Sequence, residues 1–90
     1  MKIINKEIDV LAYHFVGKKY PVPVKLKVLN ENGEHNIINI SKLISHHEER
    51  KAGILTDVYF CQTVNPIRNE IVPFEIRYDS HLKKWFLYKI

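Results

Sequence analysis

Cysteine is almost missing from this chain of 90 residues: Cys61 stands alone. No disulfide can close within it, and no cysteine-based zinc site can be built. Glycine is scarce as well. Gly17, Gly33 and Gly53 lie far apart, which excludes a glycine-rich phosphate loop. No apolar run approaches the ~18 residues of a membrane-spanning helix. Residues 1–6, Met-Lys-Ile-Ile-Asn-Lys, lack the apolar stretch of a secretory signal, so a cytoplasmic protein with no membrane partner is expected. Internal repeats, linkers and low-complexity segments are missing, and no Ser, His and Asp have the spacing of a hydrolytic triad. The chain is therefore expected not to be an enzyme, and to need no cofactor and no metal.

The composition is that of a folded domain, 46% hydrophobic and 27% charged. Its length allows one core, so residues 1–90 are read as a single β domain. A chain of this size buries only roughly 60–65% of the surface it exposes when unfolded, so its stability is modest unless it oligomerises.

Alternation with a period of two runs through the sequence. Val72, Phe74, Ile76 and Tyr78 alternate with Pro73, Glu75 and Arg77; Asp79-Ser80 opens a turn, and Trp85 to Ile90 follows. That pattern is a half-buried β-hairpin. A first strand is expected over about 7–16, with Ile8, Val10 and Ala12 on one face and Leu11, Tyr13 and Phe15 on the other. Both faces are apolar, which places it centrally or under two covers. In the second strand, about 22–29, Val24, Leu26 and Val28 point inward while Lys25 and Lys27 point outward. Pro21 and Pro23 have the same parity, so the side lacking their N–H groups should face a rim or solvent. A three-residue loop ending on a left-handed Gly33 keeps Glu31 from facing Glu34 across the next hairpin. A third strand then holds Ile37, Ile38 and Ile40, and a fourth runs from Ile54 to Val64.

Residues 41–53 admit two readings. Ser41 can cap a helix with Leu43, Ile44 and His47 at helical spacing and Gly53 past its end. Only the first turn of that helix is apolar, however, so a strand continuing through Ile44 into a polar loop is preferred, with room for one short helix near 41–51. The whole reads as an all-β protein: a small, mainly antiparallel, six-stranded meander closing into a barrel or strongly twisted sheet.

In the C-terminal half of the chain, Lys51-Ala52-Gly53, Tyr59 and Cys61 on one strand, and Phe74-Glu75-Ile76-Arg77-Tyr78 followed by Trp85 together resemble a loose group of small, uncharacterised bacterial all-β proteins. The resemblance spans roughly residues 51–88. It implies a fold and a bacterial origin, and no activity.

Three sets of residues are candidates for function. Lys18, Lys19, Lys25 and Lys27 fall within ten residues that contain no acid, and they account for the whole net charge of +4. With Tyr20 they suggest a site for an anionic partner, although lysines also protect an edge strand from aggregation. Phe86, Tyr88 and Ile90 form an apolar row on the last strand, which as an open edge would pair two copies into a homodimer. His46-His47-Glu48-Glu49 gathers possible metal ligands, but neighbouring histidines on a strand point to opposite faces, so the plainer reading is a solvated segment. Cys61, between Phe60 and Gln62, reads as a buried thiol rather than a nucleophile. The expected function is a non-catalytic binding or adaptor domain for another macromolecule, protein or nucleic acid. The alternatives are single-stranded nucleic-acid binding through the lysine-rich strand, and a structural homo-oligomer.

Overall fold

The last hairpin forms as its alternation requires. β6 (Glu70–Asp79) and β7 (Lys84–Lys89) pair antiparallel. Asp79 builds the turn between them: its carboxylate accepts the N–H groups of His81 and Leu82, both at 2.9 Å. The computed structural model describes all 90 residues. Before that hairpin come β1 (Ile3–Tyr13), β2 (Val22–Leu29), β3 (His35–Asn39), β4 (Lys42–Lys51) and β5 (Ile54–Asn65), and there is no helix. All strands join one antiparallel sheet in the order β3-β2-β1-β7-β6-β5-β4.

The sheet curls into a half-barrel, and its concave side holds the core. Ile8, Leu26, Tyr59, Cys61, Phe74, Ile76 and Leu87 are almost wholly buried there, with Val10, Val28, Ile38, Leu43 and Trp85 packed against them. Each comes from the inward parity of its strand, as a half-covered sheet demands.

The curl depends on a single bend. Ile40 N–H donates to Val24 O of β2 at 2.9 Å, and the next residue, Ser41, donates its N–H to Gln62 O of β5 at 2.8 Å. The chain thus leaves one end of the sheet and joins the other within one residue, a corner of the kind that strands make when they change sheets. This bend divides the expected third strand into β3 and β4, which is why there are seven strands rather than six.

Residues 42–51 form neither helix nor loop. They pair with β5 as far as Lys51 opposite Ile54, and Ala52 and Gly53, at φ 50° and 80°, make a two-residue turn. Positive φ at both central residues is what this tight hairpin needs. As an edge strand β4 can carry Glu48 and Arg50, because it need not be apolar on both faces.

Three further expectations change. β1 is central, yet its outer face is uncovered: Leu11 and Tyr13 stay 43% and 49% exposed. β7 is not an open edge but lies between β1 and β6, because the chain's first strand pairs with its last. Pro23 faces neither rim nor solvent. It is buried opposite Ala12, and the missing N–H is accommodated by an irregularity in the β1 ladder between Leu11 and Ala12.

The 30–34 turn agrees with expectation. Asn30 N–H donates to Glu34 O across a three-residue loop, and Gly33 sits at φ 79°. Asn30 Oδ1 accepts the N–H groups of both Asn32 and Glu34. Gly33→Ala is therefore expected to cost about 1 kcal/mol or more, from backbone strain. Asn30→Ala should cost about as much through two lost acceptor contacts, and Asn32→Ala clearly less. Urea melts of the three variants check the order.

Candidate functional site

The structure divides the basic stretch. Lys25 and Lys27 project from the outer, convex face of β2, and Lys18 and Lys19 are exposed in the loop before it. Tyr20 turns the other way, towards the core. Its ring stacks on His46 with centroids 3.6 Å apart, so it is not free to meet a ligand beside Lys25 and Lys27.

Other side chains take its place. Leu11 lies opposite Lys25, and Asp9 and Ile37 flank Lys27 on the neighbouring strands. Farther along β1 the same parity brings Tyr13 to the outer face, and Phe15 follows with its ring 6.0 Å from that of Tyr13. Both rings are about half exposed, and a shallow groove runs between Leu11, Lys25, Lys27 and Ile37. The outer face of β1–β3 thus combines an aromatic pair, two aliphatic residues and two lysines, with Asp9 the one acid in the groove. The sequence marks the second apolar face of β1 and places the strand centrally or under two covers; it is central, and alternation alone cannot tell a covered face from a bare one.

Phe86 and Tyr88 also lie on the convex side, on the middle strand of the sheet, and both are half-buried. Arg77 lies over the Tyr88 ring, 3.8 Å from its centroid. The same guanidinium donates through Nε to Glu75 at 2.6 Å and through Nη1 to Glu49 at 3.3 Å. Glu75 is 1% exposed and Val58 beside Arg77 is wholly buried, so this part of the outer face is covered by the chain's own side chains. A hydrogen bond from His47 holds the Glu49 carboxyl below its usual range, aided by Arg77 and Lys51 against the opposing effect of burial. Ile90 exchanges two backbone hydrogen bonds with Lys2. The row Phe86, Tyr88, Ile90 is thus dispersed among intramolecular partners, and both edges of β7 are already paired.

His46 and His47 point to opposite faces, as neighbours on a strand must. His46 Nε2 lies 2.8 Å from Asp57 Oδ1, with its ring 4.8 Å from that of Tyr59. Tyr59 donates its hydroxyl to Pro21 O at 2.7 Å. Burial first, and the Asp57 charge second, push that hydroxyl's pKa up. Tyr20, His46, Asp57 and Tyr59 so form a polar seam that ties the 17–21 loop to β4 and β5. No group of three or more His, Cys, Asp or Glu side chains comes together in metal-holding geometry. Burial pushes the Cys61 thiol up to about 12, so it stays protonated and poorly nucleophilic at neutral pH.

No protein-family model and no curated protein matches the sequence, and no solved structure matches the fold. Function therefore has to be argued from the surfaces themselves.

Proposed function

We propose that this chain is a non-catalytic binding domain, and that the outer face of β1, β2 and β3 holds a single-stranded nucleic acid. One observation carries the reading: Tyr13 and Phe15 stand exposed on the face from which Lys25 and Lys27 project. Unpaired bases stack on aromatic rings whatever their sequence, and lysines beside those rings meet the phosphates. Lys18 and Lys19, exposed in the loop leading into β2, extend the positive potential. A cytoplasmic setting belongs to the same proposal and suits the lone buried thiol of Cys61. No helix of the chain is long and apolar enough to cross a membrane.

The test is fluorescence anisotropy with labelled oligo-uridine and oligo-thymidine at several salt concentrations. Three or four neutralised phosphates give a log–log slope of about −2 to −3 for a single strand. The Lys25→Glu, Lys27→Glu double variant is expected to flatten the slope and weaken binding. Tyr13→Ser with Phe15→Ser should weaken binding by about tenfold or more while leaving the slope intact, because stacking carries no counterion release. All four positions are exposed, so the variants should stay folded. Absence of binding at low salt, or lysine variants that bind as well as wild type, rejects the nucleic acid. A protein partner on the same face would bind without that slope.

A further inference from the structure

The bend at Ile40–Ser41 has a consequence at the open end of the half-barrel. Past it, β3 and the end of β5 diverge, and the space between them is not filled. β3 is the terminal strand of the sheet, so one of its edges has no neighbour. On β5, pairing with β4 begins at Gln62 opposite Lys42, so beyond it Val64 turns its N–H and C=O to that side without a partner strand, while Thr63 and Asn65 face β6. These two unpaired edges line the same cleft, of about 810 Å³, from opposite walls. Ile38, Val72 and Ile90 supply apolar surface within it, and Ile67 stands at 92% exposure beside it.

We propose that this cleft accepts an extended segment of another polypeptide, which adds as a strand between β3 and β5. The chemistry of the walls selects that occupant. The free N–H and C=O groups of Ile37 and Asn39 on β3, faced by those of Val64 on β5, are matched by a peptide backbone in β conformation, as in strand addition to other open sheet edges. None of the side chains lining the cleft is charged, so the segment is uncharged, in contrast to the lysine-bearing outer face. At about 3.3 Å per residue, a β3 of five residues matches a segment of about four to six. Alternate side chains of that segment would point down onto Ile38, Val72 and Ile90, which favours an alternating apolar and polar pattern. The site is independent of the nucleic-acid reading, because the cleft and the outer-face groove have only Ile37 in common.

The test uses a blocked hexapeptide of alternating threonine and valine, added to the isotope-labelled full chain. Amide hydrogen exchange is followed residue by residue. At nine-tenths occupancy, the free-edge amides of Ile37, Asn39 and Val64 should exchange about tenfold more slowly, while those of β6 and β7 stay unchanged. The same peptide with its backbone nitrogens methylated loses its donors and should protect nothing. Ile67→Asp, at an exposed position that does not threaten the fold, should weaken the peptide effect by placing a charge at the rim. The proposal is overturned if millimolar peptide protects none of these amides, or if the methylated peptide protects them equally. It is also overturned if the amides are already protected without peptide and the solution mass doubles, since a second copy would then occupy the cleft.

Discussion

Arg77→Ala is expected to destabilise the protein by about 3–5 kcal/mol, the usual effect of removing one partner from a buried ion pair. Glu75 is 1% exposed, and its carboxylate takes its short hydrogen bond from Arg77 Nε. Without the guanidinium, that carboxylate loses its ion-pair partner on a face packed by Phe60, Val58 and Tyr88. Arg77→Lys should rescue little. An ammonium cannot reach Glu75 and Glu49 together while lying flat on the Tyr88 ring. The double variant Glu75→Gln, Arg77→Leu should recover much of the loss, because it removes both charges. Denaturant melts of the single and double variants give the coupling directly. If Arg77→Ala melts like wild type, the outer face of β5–β7 is not sealed.

Tyr59→Ala is expected to cost about 3–5 kcal/mol, as for other large core aromatics. A domain of this size commonly has only about 5–10 kcal/mol in total, so the variant should be largely unfolded at 37 °C. Tyr59 is wholly buried and holds two parts of the fold together. Its ring packs against Trp85 of β7 at 5.5 Å and His46 of β4 at 4.8 Å, while its hydroxyl anchors Pro21 before β2. Tyr59→Phe separates the two roles. It keeps the packing and loses one hydrogen bond, leaving Pro21 O without that donor, and should cost about 1 kcal/mol. Thermal melts of both variants, with the near-ultraviolet signal of Trp85 as the reporter, distinguish a packing loss from a loosened loop. Equal effects of Ala and Phe would show that the hydroxyl, not the ring, is what matters.

The candidate site shows how far local pattern reaches. Lys25 and Lys27 were legible as outward residues, since a strand's parity is a local property. Tyr20 was not. Its direction is decided by a stack on His46, twenty-six positions later in the chain, which no window of sequence contains. Tyr13 and Phe15 were visible as an apolar face, but their exposure depends on no other element crossing β1. The premise of the expected dimer row, an open edge at β7, is not met for a related reason. Phe86 and Tyr88 looked like surplus apolar surface, while Arg77 and Glu75, the groups that occupy that face, looked like ordinary solvated charges.

By itself the sequence determined that the protein is all-β, which residues of β2 and β6 face inward, and where the 30–34 and 79–83 turns fall. Those features follow from side-chain alternation, the positive φ that Gly33 tolerates and the turn-forming carboxylate of Asp79, all settled within a few residues. Only the tertiary structure decided that β1 pairs with β7, that Ile40–Ser41 carries the chain from one end of the sheet to the other, and that residues 42–51 are a strand. Each of these is a choice of hydrogen-bonding partner across the closing sheet. Backbone N–H and C=O groups are the same at every residue, so the sequence bears no local mark of which strand will satisfy them.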